Sequence, residues 1–147
     1  ILDLVATVES LETIGVPILG IGHNTFPRFV ERSSEQDPTI KQVDDIAEVS
    51  AICNEHWRKL GFKSSVLATT QVPHAVAIDH GSLQKSIAQA EQEWAEAKLP
   101  PPTRTPFLLD QLAKITGGKS LIANFELLCN NALVASKIAV SLKVTTQ

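Results

Sequence analysis

An excess of basic charge is the first thing this sequence lacks: 13 lysines and arginines stand against 16 aspartates and glutamates, a formal net charge of −3. Binding a phosphate polymer or an anionic membrane surface needs a cationic field. Aromatic residues make up only 5%, too few for a platform on which bases could stack. Polymeric nucleic acid and membrane are therefore not expected partners. Cysteine is nearly absent as well. Cys53 and Cys129 both fall in predicted helices on apolar faces, where a thiol behaves as a small buried hydrophobe, so two reduced structural thiols are expected. No apolar stretch approaches the roughly 18 residues of a membrane span, and no charged-then-apolar leader opens the chain. A soluble, intracellular and in the simplest case cytoplasmic protein is the expectation. Methionine is missing altogether, and the chain opens on Ile1 inside an amphipathic pattern, which reads as a fragment or a processed chain.

What is present points to a globular domain. The chain has 147 residues, 44% of them hydrophobic and 20% charged, close to the average of globular proteins and long enough for one domain over residues 1–147. Ile1, Leu4, Val5, Val8 and Leu11 recur at helical spacing up to Gly15, a helix that begins without its own N-cap. Val16 to Ile21 reads as a buried strand entering a Gly-His-Asn turn. From Thr25 to Val43 the pattern breaks at Pro27, Arg32-Ser33-Ser34 and Asp37-Pro38, and an irregular loop is expected. Asp44 or Asp45 can cap a helix that Gly61 stops, and Val66-Leu67-Ala68 forms a second buried strand. Asp79 caps a helix carrying Leu83, Ile87, Ala90 and Trp94, ended by Pro100-Pro101-Pro102. Thr105-Pro106 opens a fourth helix, closed by Gly117-Gly118. Ser120 caps a fifth, whose Leu121, Phe125, Leu128, Ala132, Ala135, Ala139 and Leu142 form one apolar seam. The fold class is α/β, with about five helices, two core strands and further strands expected before Ile1.

Few residues carry obvious chemistry. Gly20-Ile21-Gly22 follows a strand, but the dinucleotide fingerprint needs a glycine where this chain has Thr25. His23, His56, His74 and His80 lack the spacing of a zinc site. His56 sits on an apolar helical face, a core or rim position. His23 occupies a strand-end turn, where α/β proteins place ligand contacts. Arg32, Ser33 and Ser34 offer a guanidinium and two hydroxyls suited to a phosphate or sugar. Asn124 and Asn131 place amides within the apolar seam of the last helix, where an unpaired amide costs roughly 1–3 kcal/mol; hydrogen bonds to neighbouring loops are the simpler expectation for both.

The segments LETIGVPILGIG at 11–22, FPRF at 26–29, RSS at 32–34, TPFLL at 105–109 and TGGKSLIANFELLCNNALVASKIAVSL at 116–142 resemble, in order and spacing, the pseudouridine-5'-phosphate glycosidases. That resemblance implies a layered α-β-α enzyme that reversibly cleaves the C–C glycosidic bond of pseudouridine 5'-phosphate to uracil and ribose 5-phosphate. It implies a lysine imine as electron sink, a glutamate for proton transfer, an aspartate that anchors manganese, and a homotrimer. All three catalytic residues belong to the family's N-terminal half. A Gly-Ala-Lys-Ser stretch precedes the position of Ile1, so the chain is expected to be the C-terminal half, inactive alone. Asn124 matches the asparagine of the family's ANxxL motif, which contacts the substrate. Where the family has Asn-Pro-Ile-Pro this chain has Thr69-Thr70-Gln71-Val72-Pro73-His74, and where RSSG is usual it has RSSEQ. Both departures count against a fully active site, and the altered 69–74 loop favours the alternative, a diverged non-catalytic paralogue or remnant that serves as a binding or assembly module.

Overall fold

The structure, a computed structural model, describes residues 3–144. They group into two compact units, one of residues 3–28, 33–71 and 128–144, the other of 29–32 and 72–127.

The first unit is built on a parallel sheet. Helix α1 (Leu4–Thr13) starts at Asp3, whose side chain accepts a hydrogen bond from the Ala6 backbone N–H, so the helix does carry its own N-cap. Gly15, at φ +70°, turns the chain out of the helix in the left-handed region that favours glycine. Strand β1 (Ile18–Ile21) follows at once. The stretch expected to be irregular holds a further strand, β2 (Lys41–Val43), too short for its periodicity to show. Helix α2 (Ile46–Asn54) is capped by Asp45, which accepts from Glu48 N–H, and runs into a π-helical turn at Glu55–Lys59. Strand β3 (Leu67–Thr69) completes the order β2-β1-β3, all parallel. A third strand, β2, thus lies among the described residues beside the two expected ones.

Both faces of this sheet are covered. Alternate residues of a strand point to opposite sides, and Ile18 packs with α1 residue Val8 and with Phe26 and Ile40. Leu19 packs on the other side with Val43, Val49 and Cys53, joined by Ile138 and Leu142 from the end of the last helix. Helix, sheet and helix are thus stacked within the unit, an α-β-α arrangement.

The second unit is helical. Helix α3 (His80–Ala97) is capped by Asp79, which accepts from Ser82 N–H. It ends at Lys98, a left-handed residue at φ +48°, ahead of the proline run. Helix α4 is Arg104–Ile115. The expected Thr105 cap is not used: Thr103 occupies the N-cap, and its hydroxyl donates to the Pro100 carbonyl. Val30, Val72, Leu83, Leu112 and Ala123 form the core. Arg104 pairs with Glu91 and stands 5.8 Å from the centre of the Trp94 ring, a cation–π distance.

Helix α5 (Lys119–Val144) supplies residues to both units. Its first turn departs from expectation: Ser120 lies inside the helix, and its backbone N–H donates to the Thr116 hydroxyl. The residues that face inward are Ser120 and Ala123, both buried, with Leu127, Ile138 and Leu142 partly so. The seam expected to be core is a real stripe, but Leu121, Phe125, Leu128, Ala132, Ala135 and Ala139 are all exposed; only Leu142 packs inward. Spacing defines an apolar stripe without saying what it faces. Cys129 is exposed too, whereas Cys53 is buried and desolvation pushes its thiol up from its ordinary value. Over Lys119–Lys143 the helix is long and apolar enough, by length and composition, to cross a membrane, which the absence of any uninterrupted apolar run did not suggest.

Candidate functional site

Parallel strands present their backbone ends and following loops at one edge of the sheet, and α/β proteins bind ligands outside the carboxyl ends of their strands. Here β1 ends in Gly22-His23 and β3 in Thr69-Thr70-Gln71. The two loops meet through side chains. His23 Nδ1 lies 2.9 Å from the Thr25 carbonyl and Nε2 3.2 Å from the Thr69 carbonyl. Carbonyls only accept, and a neutral imidazole has one N–H, so the neutral ring satisfies one contact at a time. The Thr69 hydroxyl donates to the Leu19 carbonyl at 2.9 Å, fixing β3 to β1.

The ring folds back over β1 because position 20 is glycine. A Cβ there would stand 2.2 Å from the His23 carbonyl oxygen and 2.9 Å from its Nδ1. Next to it, the Thr25 and Ser33 hydroxyls lie 2.6 Å apart, and Gln71 Nε2 donates to Ser33 Oγ. The amide oxygen of Gln71 is buried and has no hydrogen-bond partner among the described residues. Thr70 donates to Asn131 Oδ1 at 2.7 Å and accepts from Asn130 Nδ2 at 3.2 Å.

The loop that carries Ser33 is clamped from behind. Arg28 donates two side-chain nitrogens to Asp37, with Nε at 2.8 and 3.0 Å and Nη2 at 2.7 Å from the carboxylate oxygens, and Ser34 N–H donates at 2.7 Å. Burial alone would push the Asp37 carboxyl up, but the Arg28 and Ser34 hydrogen bonds outweigh it and hold the group below its ordinary value of 3.8. A depressed carboxyl contributes stability that is present above its unfolded-state value and is lost as pH falls through the folded one. Thermal melting should therefore be flat near neutrality and fall once the pH drops below about 3.8. Asp37→Asn is expected to lower the melting temperature at pH 7 and to flatten the acid limb; an unchanged acid limb would remove Asp37 from this role. Arg28→Ala should cost about 2–3 kcal/mol, less than for a fully buried pair because Arg28 keeps part of its surface in water.

The four residues expected to serve a site fall into different settings. His23 and Ser33 share one cluster through Thr25. Arg32 instead donates Nη1 to the Val72 carbonyl at 3.2 Å. Asn124 is half-buried on α5, and its side chain makes no hydrogen bond among the described residues. Asn131, its companion at i+7, is the one tied to a loop, at Thr70. His56 is a buried structural histidine, 2.9 Å from Ser64 Oγ and with its ring 5.0 Å from that of Phe62. Gln71 and Thr25 were not singled out by pattern. Thr25 stands where a glycine fingerprint fails, and Gln71 lies in the segment that departs from the family. Among the described residues no group of three or more histidine, cysteine, aspartate and glutamate side chains could hold a metal ion. The described residues do not by themselves make a manganese site.

A three-stranded parallel sheet flanked by helices is an α/β architecture, and the polar cluster where two of its strands end is the candidate site. Residues 1–141 match the indigoidine synthase A like protein family, and the chain belongs to that family. A pseudouridine-5'-phosphate glycosidase of Caldanaerobacter subterraneus is 39% identical over 97% of this chain and 46% of its own length. Its counterpart from Hahella chejuensis is 38% identical over 96% and 46%. Among solved structures, the prealnumycin C-glycosynthase AlnA in complex with ribulose 5-phosphate superposes with a TM-score of 0.87 at 27% identity, covering 99% of this chain and 47% of that one. An indigoidine synthase A-like protein of Thermotoga maritima gives 0.82 at 32% identity, over 97% and 46%. The chain spans just under half the length of the curated relatives it matches.

Proposed function

We propose that this chain is the C-terminal portion of an enzyme that reversibly cleaves the C–C glycosidic bond of pseudouridine 5'-phosphate, releasing uracil and ribose 5-phosphate. The observation that carries the reading is the 39% identity to a pseudouridine-5'-phosphate glycosidase over 97% of the chain. The ribulose 5-phosphate bound to the C-glycosynthase relative supports a pentose phosphate as the class of ligand. A carbon-bound uracil leaves poorly, so the reaction needs covalent catalysis that splits one hard step into two. The lysine, glutamate and metal-binding aspartate of that scheme, and with them the manganese, belong to the upstream half, and in the same reading the whole enzyme is a homotrimer. This chain contributes Asn124, whose amide offers two donors and an acceptor to the ring-opened sugar. The His23, Ser33 and Gln71 cluster holds the loops at the strand ends. Two free thiols fit a reducing, intracellular compartment.

The test joins this chain to the upstream half of the Caldanaerobacter subterraneus relative in one polypeptide and follows uracil by chromatography, with manganese supplied. Release of uracil by the joined polypeptide, and none by this chain alone, is expected. A second reading, a non-catalytic binding module, is favoured by the Gln71–Ser33 hydrogen bond, which occupies the segment where the family has Asn-Pro-Ile-Pro. Tight binding of pseudouridine 5'-phosphate without uracil release would select it.

A further inference from the structure

Each ring nitrogen of His23 meets an acceptor, Nδ1 the Thr25 carbonyl at 2.9 Å and Nε2 the Thr69 carbonyl at 3.2 Å. Neither oxygen can donate, so a neutral ring always turns one lone pair on a carbonyl lone pair, which is repulsive. Only the imidazolium, with an N–H at both nitrogens, satisfies both at once. The ring lies close across Gly20, where a Cβ would meet Nδ1 at 2.9 Å and Cε1 at 3.0 Å. Apart from His23, no ionisable residue stands in β1, in β3 or in the turn 22–27. Beyond them Arg28 and Asp37 pair with each other, Asp44 N–H donates to Glu48 and Asp45 caps α2. Glu35 and Lys41 are exposed. None of these forms an ion pair with His23 among the described residues.

The two contacts are unequal. The Thr25 carbonyl has no other donor among the described residues, so losing His23 would leave it unpaired. Thr69 belongs to β3, whose backbone is paired with β1, and its contact is the longer. A ring with one proton therefore keeps Nδ1–H on Thr25 and gives up Thr69, since the group without an alternative partner costs more to strand. We propose that His23 is a pH-operated latch between the two loops of the candidate site: as the imidazolium it ties the turn after β1 to the end of β3, and loss of its Nε2 proton to solvent undoes that tie. The tie joins residues 46 apart in sequence and stands beside the Thr25–Ser33–Gln71 chain of hydrogen bonds. Turn and loop are thus linked twice when the ring is charged and once when it is neutral. Histidine changes charge between about pH 5 and 8. A tie that needs the protonated ring contributes stability at the acid end of that range and loses it as pH rises. The latch follows from the hydrogen bonds alone and does not depend on the proposed function.

Ring-nitrogen chemical shifts of the isotope-labelled chain read these protons directly, with the His23 signals identified by their loss in His23→Gln. At about pH 5 both nitrogens should carry hydrogen, and at about pH 8 only Nδ1, the tautomer that free histidine disfavours. Hydrogen on Nε2 at the higher pH overturns the latch, because Thr69 is then still held and Thr25 is the partner released. A ring with a single proton at the lower pH overturns it too. Stability supplies the second measurement. Glutamine stays neutral throughout, and every other titrating side chain is common to both chains. His23→Gln should raise the unfolding equilibrium constant at least about tenfold more at the lower pH than at the higher, the equivalent of one pH unit of differential proton affinity. An equal rise at both pH values overturns the proposal. If the glutamine variant does not fold, His23→Asn identifies the signals, and the ring spectrum of the unsubstituted chain decides.

Discussion

Asn124→Ala in the joined polypeptide is expected to lower kcat for pseudouridine 5'-phosphate cleavage by about 100-fold, the scale on which a single preorganised hydrogen-bond donor acts. The substitution removes a side-chain amide that makes no hydrogen bond to another described residue, so the fold loses none. Alanine is the better helix former by up to about 0.7 kcal/mol. The melting temperature should therefore hold or rise slightly while turnover collapses. That combination separates a site residue from a structural one. If Asn124 served the fold, stability and activity would drop together, and if it served neither, both would stay. A rise in KM with kcat intact would restrict the amide to binding of the ground state.

Gly20→Ala should be the most damaging change to the fold itself. The added methyl would stand 2.2 Å from the His23 carbonyl oxygen, a backbone atom that moves only if the whole β1 turn moves. Relief would have to displace either β1, hydrogen-bonded on both sides to β2 and β3, or the turn that hangs His23 between Thr25 and Thr69. Overpacking at such a site costs about 3 kcal/mol or more. With a urea slope of about 1–3 kcal/mol per M, the unfolding midpoint should fall by roughly 1–3 M. His23→Ala removes the ring but keeps the carbonyl, so it should not rescue Gly20→Ala. A double variant as stable as His23→Ala alone would show that the ring, and not the backbone, makes the clash.

The same site shows how far residue patterns reach. Asp45, Asp79, Gly15 and Gly61 mark their helix ends because caps act over a few residues and leave a local signature. Thr105 and Ser120 carry the same kind of signature, yet Thr103, at the end of a 3₁₀ turn over Pro101–Thr103, takes the N-cap of α4, and Ser120 lies inside α5 with its N–H on the Thr116 hydroxyl. Strand β2 escaped notice because three residues, Lys41, Gln42 and Val43, are too few to show alternation. Their pairing with Leu19, Gly20 and Ile21 comes from partners some 20 residues away.

The sequence by itself determined the α/β class, the order of the five helices and two of the three strands, the family, and Asn124 as the residue to watch. All of these rest on local propensity or on motifs contiguous in the chain. Only the tertiary structure decided that Gln71, Thr25 and Ser33 form one network beside His23 while Arg32 turns to Val72. It also decided that Asn131 is engaged by Thr70 while Asn124 stays free, and that the apolar stripe of α5 faces outward. Spacing sets which side chains share a face of a helix; what lies against that face depends on residues far away in sequence.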